Sequence, residues 1–169
     1  PNSLIRPLVP AACTLHHPLT DSFKDIPEPE TRERGAMAEF YAETGYRFLW
    51  VNEQGLNERA RAVAKVVARA GAFDLQPENY PLPEAKGFEQ ASGEEAQWLA
   101  NAEYRMTRSV LAYARHAQSG HLNPRDISSN LDVTPDTPDP LEVLRGLAGD
   151  AVNVADYLEG FHPTHPQFV

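Results

Sequence analysis

The longest periodic stretch of the chain lies at 94–119, where Trp98, Leu99, Ala102, Met106, Val110, Tyr113 and Ala117 recur every three or four residues. This spacing puts the apolar side chains on one face of an α-helix. Gly120 follows directly and is a natural stop. At 1.5 Å per residue the helix would span ~40 Å, enough to be the spine around which the other elements pack.

Prolines delimit what surrounds that spine. Of the 15 in the chain, Pro1, Pro7, Pro10, Pro18, Pro27 and Pro29 crowd the first 29 residues. Fixed φ angles and missing N–H donors predict an extended proline-rich arm at 1–29 and a helical domain at 30–169. Pro135, Pro138 and Pro140 mark a loop between helices, and Pro163 and Pro166 mark the end of the packed region. A body of 169 residues has room for one core, burying roughly 70% of the surface its unfolded chain exposes.

Shorter helices follow from the same signals. At 30–44, Met37, Phe40 and Tyr41 fall at i, i+3 and i+4, and Gly45 is a stop. The segment 46–51 is aromatic and β-branched, but no neighbouring run offers a strand partner, so it reads as an extended buried connection. Asn57 suits the N-cap of a helix at 58–71, with Ala60, Val63, Val66, Val67 and Ala70 as its apolar stripe and Gly71 as its end. A helical turn is expected at Pro77, and 126–134 reads as irregular. Asp139 and Pro140 open a fourth helix through Leu147, and Asp150 or Asn153 opens a fifth through Phe161. The expected fold class is all-α: about five helices around the long central one.

Charge narrows the partners. A net charge of −9 opposes a phosphate-bearing partner, so no nucleic acid is expected. No apolar run reaches the ~20 residues of a membrane span, and no signal-peptide core is visible at Pro1. The lone cysteine, Cys13, excludes an internal disulfide framework.

Candidate chemistry is sparse. Cys13 with His16 and His17 resembles a nucleophile beside a base, but it sits in the proline-rich arm without an evident oxyanion donor. His16, His17, His162 and His165 could be gathered by a metal, yet their spacing matches no common zinc motif, and no metal or cofactor is expected. Glu28, Glu30 and Glu33, like Glu94 and Glu95, read as acids placed at helix starts, where the macrodipole favours them. Arg105, Arg108 and Arg115 either hold an anion or pair with acids on neighbouring helices, and the second is commoner. The aromatics fall mostly on buried faces, so core packing is their default role. No Gly-rich phosphate loop, G-x-S-x-G or H-E-x-x-H is present. No catalytic residues are assigned.

Four short segments carry a resemblance. Residues 40–50, Phe-Tyr-Ala-Glu-Thr-Gly-Tyr-Arg-Phe-Leu-Trp, are similar to the F-Y-x-x-x-G-Y-x-P-L-W opening of the scaffold domain in large bacterial L,D-transpeptidases of the YcbB type, with Phe48 where proline is frequent. Residues 70–80 resemble A-x-x-D-G-L-x-P-x-x-Y, residues 111–125 resemble Y-x-x-x-L-x-x-G-x-x-x-P, and 158–168 resemble the closing L-x-P-x-x-P-x-Y. Together they span about 36–169 in the right order. The resemblance implies a periplasmic setting and a non-catalytic domain that packs against and positions a catalytic domain, in cis or after cleavage. That domain would carry an S-H-G-C cysteine and cross-link peptidoglycan; Cys13 reads Ala-Ala-Cys-Thr before the resembling region and does not correspond to it.

The packing surface expected on this reading is Tyr46, Phe48, Trp50 and Tyr80, an aromatic centre with a polar rim. Two rivals stand beside it. One is a stand-alone helical interaction module binding peptidoglycan or a cell-wall protein. The other is a small all-α enzyme using Arg105 and Arg108 to hold an anionic metabolite, for which a pocket of convergent arginines and a carboxylate would speak.

Overall fold

The computed structural model describes residues 28–84, 93–119 and 137–162. Cys13, His16, His17, His165 and the proline-rich arm through Pro27 lie outside them. Among the described residues there are five α-helices: α1 (Glu28–Glu43), α2 (Glu58–Ala68), α3 (Gly93–Ser119), α4 (Pro140–Ala148) and α5 (Val154–Glu159). The fold is all-α, and its 27-residue α3 is the spine the periodicity predicts. Every other helix touches α3; α1 runs beside α4 and α2 beside α5.

Local chemistry sets each boundary. The first helix begins at Glu28, so Pro29 is drawn into its first turn, where a missing N–H costs nothing. It ends in a Schellman motif: Tyr46 N–H donates to Tyr41 O at 2.7 Å and Gly45 N–H to Ala42 O at 3.2 Å, with Gly45 at φ 63°. Asn57 caps α2 by accepting from Ala60 N at 3.1 Å. Asp139 caps α4 by accepting from Leu141 N and Glu142 N, with Pro140 at the first helical position. Asn153 caps α5. At the other end of α4, Arg59 reaches across from α2 and donates to the carbonyls of Leu147 and Gly149, which the helix leaves unpaired.

Two expectations are corrected. The connection after Tyr46 does find a strand partner: β1 (Val51–Asn52) pairs antiparallel with β2 (Gly55–Leu56), Val51 opposite Leu56. The return strand is only two residues long and is enabled by Gly55 at φ 105°. The second correction is at α2, which stops at Ala68 rather than running to Gly71; the chain tightens into a 3₁₀ turn at Ala70–Phe73. That tightening lets Ala70 O accept from Leu75 N at 3.1 Å and brings both Ala70 and Leu75 into the core. A second 3₁₀ turn, Pro77–Asn79, begins at the expected proline.

The core follows α3. Met106, Val110, Leu111, Tyr113 and Ala114 face Met37, Phe40, Trp50, Val63, Val66, Leu144 and Leu158 from the surrounding elements. Ion pairs staple the rim: Arg145 of α4 to Glu43 of α1, and Arg69 beside α2 to Glu159 of α5 at 2.7 Å.

Candidate functional site

A carboxylate lies at the centre of the molecule. Glu103 is on α3, among the apolar stripe, and fully buried. Its Oε1 accepts from Tyr41 Oη and from Leu49 N, both at 2.6 Å, and its Oε2 accepts from Trp50 N at 2.9 Å. One turn on, buried Thr107 Oγ1 accepts from Trp50 Nε1 at 2.9 Å and lies 2.8 Å from Tyr41 Oη. Since the Tyr41 proton goes to the carboxylate, Thr107 is the donor in that last contact, or else donates to Glu103 O at 2.9 Å. The network thus clasps the end of α1 and the start of the hairpin onto the spine. Burial pushes Glu103 up to about 7, although the Tyr41 hydroxyl and the N–H groups of Leu49, Trp50 and Val51 pull it the other way. Burial, with the neighbouring Glu103, holds Tyr41 well above the ordinary phenol value.

An aromatic and imidazole cluster closes the C-terminal end of α3. Tyr80 Oη shares a hydrogen bond with His116 Nδ1 at 3.0 Å, and Tyr113 Oη one with His162 Nε2 at 2.9 Å. Phe73 stacks on His162, ring centroids 3.9 Å apart. Burial raises Tyr80 and Tyr113 to about 12 and lowers His162. These hydroxyls therefore stay protonated and His162 is biased toward neutral imidazole.

Beside this cluster a groove of about 420 Å³ opens between α1 and α3. Arg105, Arg108, Ser109, Ala112, Arg115 and His116 line it from α3, a set spaced to share one helix face. Glu30 and Glu33 line it from α1. Arg108 pairs with Glu30 at 3.6 Å and Arg115 with Glu33 at 3.2 Å. The Arg115 Nε donor is buried and, despite its closeness to Glu33, is not aligned for a hydrogen bond. Burial raises Glu33 above the usual carboxylate range, and the Arg115 guanidinium opposes the rise.

A family model described as a scaffold domain matches residues 35–169. The chain belongs to the scaffold-domain family. No curated protein and no solved structure matches it. The description fits a supporting rather than a catalytic role.

Within this scaffold domain the sequence-predicted residues fall in different places. Trp50 and Tyr80 are 0% and 1% exposed, spent on the domain's own core, and Phe48 is half-buried. Of the four aromatics expected on a packing surface, Tyr46 alone is exposed, at 44%. The exposed Phe73, at 41%, was not among them. Of the histidines weighed as metal ligands, His162 is engaged by Tyr113 and Phe73, and the other three lie outside the described residues. Among the described residues, no group of three or more His, Cys, Asp or Glu is placed to hold a metal ion, and no helix is long and apolar enough to cross a membrane. Arg105, Arg108 and Arg115 do share one groove with carboxylates. Glu33, expected to serve the start of α1, is instead an ion-pair partner in its second turn.

Sequence reasoning missed Glu103. The signal was present: Glu103 and Thr107 are a polar i, i+4 pair set on the face that carries Leu99, Met106 and Val110. Polar residues at core positions point to an internal network.

Proposed function

We propose that this scaffold domain serves a peptidoglycan L,D-transpeptidase in the bacterial periplasm, packing against the catalytic domain and holding it in position. The observation that carries the reading is the scaffold-family match over 35–169, joined to the four segments that resemble such enzymes in the same order. The first two of those segments supply buried residues: Phe40, Tyr41, Trp50, Leu75 and Tyr80 all lie in the core. What such segments encode is therefore the shape of the support. The chemistry, a cysteine attacking the tetrapeptide stem, belongs on this reading to the partner domain. Contact with that partner falls to the exposed aromatics Tyr46 and Phe73, since large exposed aromatic side chains are the usual anchors of an interface.

The test pairs an interaction with an activity. The chain and the S-H-G-C-bearing catalytic domain are expected to co-elute, and Tyr46→Ser with Phe73→Ser to weaken that complex. The chain alone is expected to leave tetrapeptide-stem muropeptides uncross-linked. Turnover by the chain alone, or a catalytic domain that ignores it, sinks the proposal. Retention on purified sacculi without the catalytic partner would favour the stand-alone binding module instead.

A further inference from the structure

We propose that the groove between α1 and α3 is a binding site for an amino acid or short peptide with a free carboxylate and a free ammonium group, the carboxylate held by Arg105 and Arg108. The argument starts from how the charges alternate across the groove. On α3, Arg108 and Arg115 each face a carboxylate of α1, Glu30 and Glu33. Arg105 sits one turn before Arg108 on the same wall, is exposed, and has no acidic partner among the described residues. The groove thus presents three guanidiniums against two carboxylates, with the open rung at Arg105.

The neighbouring rung is loose enough to share. The Arg108–Glu30 pair is long at 3.6 Å, with both side chains more than one-third exposed, so water competes with it and it holds weakly. A planar guanidinium takes a carboxylate through two parallel N–H donors, and Arg105 and Arg108 lie three residues apart on one face. An incoming carboxylate can use Arg105 fully and borrow Arg108. Release of Glu30 from Arg108 then frees a carboxylate for an ammonium group. Glu33, raised by burial, likewise gains from a nearby cation. Asn79 and Ser109 add polar atoms to the lining.

The same balance argues against a phosphate. Two carboxylates in the walls repel a dianion, while a dipolar ligand meets a positive and a negative site at once. About 420 Å³ lies within the range of small-ligand pockets and is ample for two residues of peptide. The site is independent of the docking role, because Tyr46 and Phe73 are not part of its lining.

Calorimetric titration of the full chain decides it, using alanyl-alanine with both ends free, its C-terminal amide, its N-acetyl form, and inorganic phosphate. The free dipeptide is expected to bind saturably with Kd near or below about 1 mM. Amidation of its C terminus should weaken binding at least about tenfold, the scale of one charge-assisted contact, and N-acetylation should weaken it too. Arg105→Gln should lose about tenfold in dipeptide affinity with an unchanged thermal midpoint, because Arg105 is exposed and anchors no other side chain among the described residues. Glu30→Gln should narrow the difference between the free dipeptide and the N-acetyl form, because the ammonium loses its partner while Arg108, freed from Glu30, holds either carboxylate more tightly. Absence of dipeptide binding up to about 10 mM, phosphate binding as tightly as the dipeptide, or an Arg105→Gln variant with unaltered affinity would each overturn the proposal.

Discussion

Glu103→Gln is the perturbation that reads the centre of the molecule most directly. In the folded chain the carboxyl titrates at about 7, against 4.5 when solvated, because burial penalises its charge more than its donors repay. The folded state therefore binds the proton more tightly than the unfolded state between those two values. Stability from this group is fully present below about pH 4.5 and is lost as pH rises through about 7. At about 1.4 kcal/mol per unit, the loss amounts to about 3 kcal/mol, a large share of the 5–15 kcal/mol that holds a typical domain. Glutamine cannot titrate, so the variant lacks this slope. It bears a separate cost at every pH: its carbonyl replaces one carboxylate oxygen, but its amide confronts a second donor, Trp50 N or the Leu49 N and Tyr41 Oη pair, with donor against donor. That unmet buried donor costs about 1–3 kcal/mol. Urea unfolding of both proteins at pH 5 and pH 8, followed by tryptophan fluorescence, measures the difference. The gap should be wide at pH 5 and close by about 2.5 kcal/mol at pH 8, since part of the stabilisation is already lost at pH 5. A gap that stays constant, or widens toward pH 8, would refute the account of Glu103 as a carboxyl held against burial.

Three further outcomes follow from single contacts. Thr107→Val leaves Trp50 Nε1 without its acceptor and should cost about 1–3 kcal/mol, whereas Thr107→Ser, which keeps the hydroxyl, should cost less; equal losses in a urea series would show that the hydroxyl does not matter. A Cβ added at Gly146 would collide with the Tyr157 ring, so Gly146→Ala should destabilise the wild type but stabilise a Tyr157→Ala background, where only the helix preference of up to about 1 kcal/mol remains; the same sign in both backgrounds removes the clash from the argument. Tyr46→Gly should keep thermal stability within about 1 kcal/mol of wild type while weakening co-elution with the catalytic domain, and a loss above about 2 kcal/mol would assign Tyr46 to the fold instead.

The fold was legible where period and caps agreed. The spine was expected at 94–119 and is found at Gly93–Ser119, because seven apolar residues in register outvote any local preference. Asn57, Asp139 and Asn153 capped as read, since a short polar side chain before an apolar stripe has one good use. Gly71 misled because a glycine can end a helix or sit in a tighter turn, and the burial of Ala70 and Leu75 chose the turn. The hairpin escaped because two-residue strands carry no period. The arginine groove was half legible: the spacing of Arg105 and Arg108 on one face is in the sequence, but that α1 would bring Glu30 and Glu33 opposite them is a property of packing. The expected aromatic surface failed to form as a unit because Trp50 and Tyr80 had better use inside, where an indole N–H finds Thr107 and a phenol finds His116.

That division explains why Tyr46 stands out. Tyr41 and Trp50 both reach the Glu103–Thr107 pair from opposite ends of a nine-residue step, so the chain between them has to reverse sharply. The reversal puts two consecutive residues at positive φ: Gly45 at 63° and Tyr46 at 58°. Glycine at the first position is what a Schellman turn favours. At the second, a tyrosine is disfavoured by about 1–2 kcal/mol for its β-carbon, and its ring is exposed rather than repaying that cost through burial. The one hydrogen bond the turn needs there, Tyr46 N–H to Tyr41 O, comes from the backbone and any residue but proline would supply it. Folding therefore gives no reason for an aromatic side chain at 46. The proposed docking role would supply one, and the turn presents that ring from a backbone fixed through Tyr41 to the buried Glu103–Thr107 network.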